Sequence, residues 1–283
     1  MRRRGGAFVA LLLFVGASAK AARVPVAVVT DDSWTIHGDY YPAQPGRKTV
    51  VLIHGAGERR GMWRGLEARL RRAGCGALAV DLRGYGESTL APDGSTVTFH
   101  QFKTSRARND YAEMRRDVQA AVGYLRSQGV QDADIGLVGA YVGGTLALKY
   151  AVLHSSVSFV AMLEPGMSYE NVPTVNALRA YKDRPILLLY SDRNKTSSRA
   201  VPILYEFAKR AAGPEKAALL NIGSKRLTGS WSTKALFDWI EDPDKARREF
   251  ALAASSATPP APAASSATVS LPVPGQLAPA GIP

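Results

Sequence analysis

The residues best placed to do chemistry are Gly139-Ala140-Tyr141-Val142-Gly143. Ile135 to Val138 read as a short buried strand and Gly143 to Leu153 as a helix. The turn between them has the frame glycine, any residue, nucleophile, any residue, glycine. Glycine at 139 and 143 is expected because strand and helix backbones approach there too closely for side chains. A serine, cysteine or aspartate at the centre would attack a carbonyl carbon. The residue there is Tyr141, whose phenol, with a pKa of about 10, is a poor acyl nucleophile at neutral pH. A nucleophile of this kind also needs a base. The four histidines are His37, His54, His100 and His154, and none lies beyond residue 154. The single cysteine, Cys75, permits no intrachain disulfide and no cysteine-rich metal site. Residues 55–61 lack the Lys-Ser/Thr end that a phosphate loop requires. The sequence therefore calls for no metal and no cofactor.

The elements that must position these residues follow from hydrophobic periodicity. Val26 to Val29 and Trp34 to Gly38 read as an antiparallel pair with Asp31 and Asp32 in the turn, and Thr49 to Ile53 as a buried strand. Met62 to Ala73 is expected as a helix with Trp63, Leu66, Leu70 and Ala73 on one face and arginines on the others. Ala77 to Val80 is the next strand. A polar connector, Thr89 to Arg108, leads to a helix from Asn109 to Gln128. After the 139–143 turn come strand Ser158 to Leu163, helix Val175 to Tyr181, strand Ile186 to Tyr190, helix Ser198 to Ala211, strand Ala217 to Ile222 and helix Thr233 to Ile240. Continuous apolar strands alternating with helices imply an α/β fold, with a mostly parallel sheet covered on both faces and little lid.

The chain has 283 residues, enough for one large domain. Residues 1–19 have the layout of a signal peptide: Arg2, Arg3 and Arg4, an apolar run from Ala7 to Val15, then Ala17-Ser18-Ala19 for cleavage. Residues 20–250 are expected as the folded domain. Residues 251–283, rich in Ala, Pro and Ser, are expected as a disordered spacer. The implied location is periplasmic or secreted. The formal charge is +12, and cleavage would remove only those three arginines, so the mature chain stays basic. Arg59, Arg60, Arg64, Arg69, Arg71 and Arg72 cluster about one helix, and Lys103, Arg106, Arg108, Arg115 and Arg116 form a second group. Such faces are solvated or attract an anionic cell-envelope component. Nucleic acid is not implied, since no aromatic residues interleave with the basic ones.

Three motifs in order bring a family into view. His54-Gly55-Ala56-Gly57 resembles the oxyanion-hole loop of α/β-hydrolases, and Asp81-Leu82-Arg83-Gly84-Tyr85-Gly86-Glu87-Ser88 resembles their D-x-R-G-x-G-x-S segment. The 139–143 frame resembles their nucleophile elbow. The nearest groups are the esterase, monoacylglycerol-lipase and serine-aminopeptidase-like enzymes and the dienelactone-hydrolase-like enzymes. The resemblance covers roughly residues 24–245.

The resemblance implies a nucleophile, an acid and a histidine in that chain order. Tyr141 holds the first position. The acid position after strand 186–190 falls on Asn194, with Asp192 as a fallback two residues earlier. The histidine position falls in Gly223 to Gly229, where Lys225 or Arg226 stands instead. Arginine stays protonated, and lysine acts as a base only when desolvated. By the same resemblance His54 orients its loop, Gly55, Gly139 and Gly143 are scaffold, and the N–H groups of Ala56 and Val142 form the oxyanion cradle. Tyr141 is expected either to relax the elbow and plug the pocket or to leave a cradle that takes an anionic small molecule. The implied protein is a non-catalytic binding or scaffold module. Its alternatives are a hydrolase of ester, thioester or peptide bonds with non-standard residues, and a basic envelope-binding protein tethered by its tail.

Overall fold

A computed structural model describes residues 22–105 and 107–256. The expected signal peptide and residues 257–283 of the expected tail lie outside the described residues. In chain order the elements are β1 (Val24–Val29), β2 (Thr35–Tyr41), β3 (Thr49–Ile53), α1 (Arg64–Arg72), β4 (Gly76–Val80), α2 (Asp110–Glu113), α3 (Arg115–Ser127), β5 (Ile135–Ala140) and α4 (Val142–Leu153). They continue with β6 (Phe159–Leu163), β7 (Ser168–Tyr169), β8 (Val172–Pro173), α5 (Val175–Ala180), β9 (Ile186–Tyr190), α6 (Lys195–Ala212), β10 (Ala217–Asn221), α7 (Ser230–Glu241) and α8 (Pro243–Ser256).

An eight-stranded sheet runs in the order β1-β2-β4-β3-β5-β6-β9-β10. Only β2 pairs antiparallel with its neighbours; from β4 to β10 every pairing is parallel. Alternation along each strand sorts the side chains between two cores. Val51 and Ile53 of β3, with Ile186 and Leu188 of β9, join Val118, Leu146, Leu178 and Leu204 on one face. Val50, Leu52, Leu187 and Leu189 join Leu66, Leu70, Trp239 and Ile240 on the other. The central parallel strands are therefore almost continuously apolar because both faces are covered, each large side chain contributing about 1.5–3 kcal/mol.

Three elements depart from the sequence reading. The helix expected from Asn109 to Gln128 is two helices; Asn109 caps the first, its Oδ1 accepting from the N–H groups of Tyr111 and Ala112 at 3.0 and 3.2 Å. The two-residue strands β7 and β8 form a small hairpin beyond β6. The last helix is not α7. Helix α8 follows it, starting at Pro243, burying Ala246 and packing Phe250 on the core. It runs to Ser256, past the boundary drawn at residue 250. Alanine is the best helix former and proline suits a first helical turn, so composition alone misread this end of the tail.

Candidate functional site

Strands β3, β5, β6 and β9 lie side by side and parallel, so their carboxyl ends share one edge. Open parallel sheets hold their ligands at that edge. The residues leaving the four strands there are His54, Tyr141, Glu164 and Ser191.

Tyr141 keeps the elbow strained. Its backbone has φ 52° and ψ −122°, a region costly for any residue with a Cβ. The expected relaxation does not occur, and the packing explains why. A Cβ on Gly139 would collide with the Gly143 backbone, and one on Gly143 with the carbonyls of Ile53 and His54. Strand and helix are locked together, so the turn is fixed whatever stands at its centre. Tyr141 N–H donates to Leu163 O at 2.8 Å and its carbonyl accepts from Gly144 at 3.1 Å. Its ring meets that of Tyr169 edge to face at 5.8 Å. A Cβ on Gly55 would stand 2.5 Å from Tyr141 Cδ2, so the phenol lies against the oxyanion loop. Burial raises its pKa, with Glu164 and Glu58 adding to the rise. Tyr141 lines none of three well-formed cavities among the described residues, of about 830, 490 and 330 Å³.

The loop beside it is well built. His54 is fully buried; its Nε2 accepts from Leu82 N–H at 3.0 Å, so the proton sits on Nδ1, 2.8 Å from Gly55 O. Burial pushes its pKa down to about 4. The ring orients the loop and has no nitrogen left for a substrate. Gly57 N–H donates to Tyr85 Oη at 3.4 Å. The Ala56 and Val142 N–H groups donate to no group among the described residues.

The other triad positions have structural roles. Asn194 caps α6, its Oδ1 accepting from Ser197 N–H at 3.1 Å. Asp192 is exposed and accepts from Asn221 Nδ2 at 3.0 Å. Lys225 and Arg226 are exposed; the Lys225 ammonium lies 4.7 Å from the centre of the Trp231 ring, and neither side chain bonds to the elbow. The D-x-R-G-x-G-x-S segment is likewise a brace. Arg83 is buried between Asp117 and Asp32, and Ser88 Oγ donates to Asp81 O at 2.7 Å while accepting from His37 N–H at 2.8 Å.

Glu164 was not singled out from sequence. It is 2% exposed, with φ 51°. Its Oε1 accepts from Ser191 N–H at 3.1 Å and Ser191 Oγ at 2.6 Å, while Oε2 is buried without a partner. Burial raises its pKa, restrained by Ser191, Ser197 and Asn194. The available signal was a carboxylate ending an apolar strand just before Pro165-Gly166.

Residues 50–279 match the model described as "Alpha/beta hydrolase family". Among solved structures, a dienelactone hydrolase from Anabaena variabilis is similar, with 17% identity and a TM-score of 0.57 over 82% of this chain and 99% of that one. An esterase from Pyrococcus furiosus has 18% identity and a TM-score of 0.59 over 81% and 93%. An alpha/beta hydrolase from a Penicillium species has 14% identity and a TM-score of 0.61 over 81% and 99%. No curated protein matches.

Proposed function

The chain belongs to the alpha/beta hydrolase family, and from that premise we propose that it is an exported member that no longer cleaves and serves as a binding or scaffold module. The observation that carries this is an elbow whose centre holds a phenol ring against Gly55, with no imidazole free to activate anything there. His54 is bonded on both nitrogens. His37 lies 4.0 Å from Glu87, His100 packs on Phe99 and His154 stacks on Tyr150. Tyr141 is the plug of the former pocket. Behind it the Ala56 and Val142 N–H groups, the latter opening α4, suit a carbonyl or carboxylate oxygen. Export rests on the arrangement of residues 1–19.

One observation favours a second reading, hydrolysis of an ester, thioester or peptide bond by non-standard residues. The buried Glu164 keeps one oxygen free beside the Tyr141–Tyr169 ring pair, to which Tyr169 Oη is tied by a 2.9 Å bond to the Glu164 carbonyl. Hydrolysis of short and medium acyl nitrophenyl esters separates the two. The parent is expected to be inert. Activity is expected to emerge as Tyr141→Ser, then Asn194→Asp, then Lys225→His or Arg226→His are added. A parent that turns over and is silenced by Tyr141→Phe would establish the second reading instead.

A further inference from the structure

The roomiest of the three cavities, about 830 Å³, does not reach Tyr141 and lies between α1, strand β2 and the loop after β4. Five arginines line it: Arg23, Arg59, Arg60, Arg64 and Arg71. Two are neutralised. Arg60 pairs with Asp81, with Asp39 at 3.3 Å and with Glu87 at 2.8 Å, and Arg23 lies 3.7 Å from Asp39. Arg59, Arg64 and Arg71 form no ion pair among the described residues. Arg71 stacks on the Tyr41 ring at 5.2 Å, and its Nε is buried with no acceptor.

Glu67 stands in the same wall, 9% exposed, with no hydrogen bond and no ion pair among the described residues. It is four residues before Arg71 on α1, a spacing that ordinarily brings glutamate and arginine together. They do not pair. A buried donor and a buried carboxylate, both without partners, face one polar cavity of ligand size.

We propose that this cavity binds a tetrahedral dianion, the phosphate or sulfate group of a monoester, held by Arg59, Arg64 and Arg71 beside Glu67. Guanidinium forks pair bidentately with the oxygens of such groups; three of them offer more donors than the two oxygens of a carboxylate can take, and a cation would use none. Burial pushes the Glu67 carboxyl up to about 7, with Asp39 on β2 adding to the rise and Arg64, Arg60 and Arg71 opposing it. Asp81 and Glu87 face it only through Arg60, and Glu58 lies at the cavity wall. A bound dianion favours the protonated carboxyl further, so binding takes up a proton and weakens as pH rises through 7. This site does not depend on whether the elbow is silent, because hydrolysis and anion binding are read separately.

The test is titration of the full chain with sodium sulfate in low-salt buffer between pH 5.5 and 8.5, against chloride at matched ionic strength, followed by amide chemical shifts. Sulfate remains a dianion across this range, so any pH dependence belongs to the protein. Saturable binding is expected, weakening by up to about tenfold per pH unit above 7. Glu67→Gln is expected to flatten that profile. Arg64→Gln and Arg71→Gln are each expected to weaken binding by about tenfold; Arg64 is exposed, so its variant leaves the core intact. Sulfate acting no differently from chloride, or arginine variants binding like the parent, would overturn the proposal. A second arm identifies the source. Arg64-dependent retention on phosphatidic acid vesicles, but not on phosphatidylglycerol vesicles, places the group on a lipid; sulfate binding without retention places it on a soluble ester.

Discussion

Two substitutions at position 141 separate strain from packing in the elbow. Tyr141→Ala and Tyr141→Gly both remove the ring from Gly55 and Tyr169. They differ in one respect: alanine must still occupy φ 52° and ψ −122° with a Cβ, whereas glycine takes that conformation freely. A strained non-glycine backbone of this kind costs about 1–3 kcal/mol. Glycine gives back about 0.5–1 kcal/mol through its more flexible unfolded chain. The glycine variant should therefore be the more stable by about 1 kcal/mol, with a ceiling near 2.5 kcal/mol. That is the reverse of the usual order of alanine over glycine. Losing the half-buried ring should leave the alanine variant, which keeps the parent's strain, about 1–2 kcal/mol less stable than the parent, and the glycine variant within about 1 kcal/mol of it. Urea unfolding at pH 7, read by tryptophan fluorescence, gives the comparison directly. An alanine variant as stable as the glycine one would refute the claim that packing of β5 on α4 imposes the turn.

Two further predictions concern buried titrations. His54 has its pKa held down to about 4 against an ordinary 6.5, so the unfolded chain takes a proton that the folded chain refuses. Its contribution is complete above pH 6.5 and is lost as pH falls towards 4. At about 1.4 kcal/mol per unit this is roughly 3 kcal/mol, and His54→Gln should show a correspondingly flatter stability profile between pH 6.5 and 4 in urea unfolding. Glu67 has the opposite sign. Its folded pKa, about 7, exceeds the ordinary 4.5, so the fold favours the neutral carboxyl, and stability declines as pH climbs from 4.5 to 7. Glu67→Gln should remove about 3 kcal/mol of that decline; a parent and variant with parallel profiles over this window would count against a neutral Glu67.

Much of the fold was legible because strand burial and local pattern agree. Val50 to Ile53 and Ile186 to Leu189 are apolar throughout, and both faces of each are covered. Where tertiary contacts decide, the pattern was silent. Nothing in the run from Asn109 to Gln128 announces the break at Met114, and the α8 alanines resemble those of a linker until Ala246 and Phe250 are seen docked. The site was legible in its frame and not in its partners. Glu164 escaped notice because its importance lies in Ser191, 27 residues away, closing on it. The Glu67 cavity escaped for a similar reason: an arginine-rich helix face reads as solvated surface until β2 is seen to wall one side of it.

The persistence of the glycines follows from the same physics. Gly139 and Gly143 let β5 and α4 touch, and Gly55 accommodates the Tyr141 ring. None of these jobs requires a nucleophile. His54 joins two loops, Arg83 and Ser88 brace the β4 turn, and Asn194 caps a helix. On the proposed reading, in which the catalytic side chains have been lost, every backbone motif stays under its original packing constraint, since replacing any of them opens a clash or a buried polar group without a partner. A frame of glycines and turns reports the fold. Chemistry has to be read from the few side chains that packing leaves free, and at this elbow those are a phenol and two backbone N–H groups.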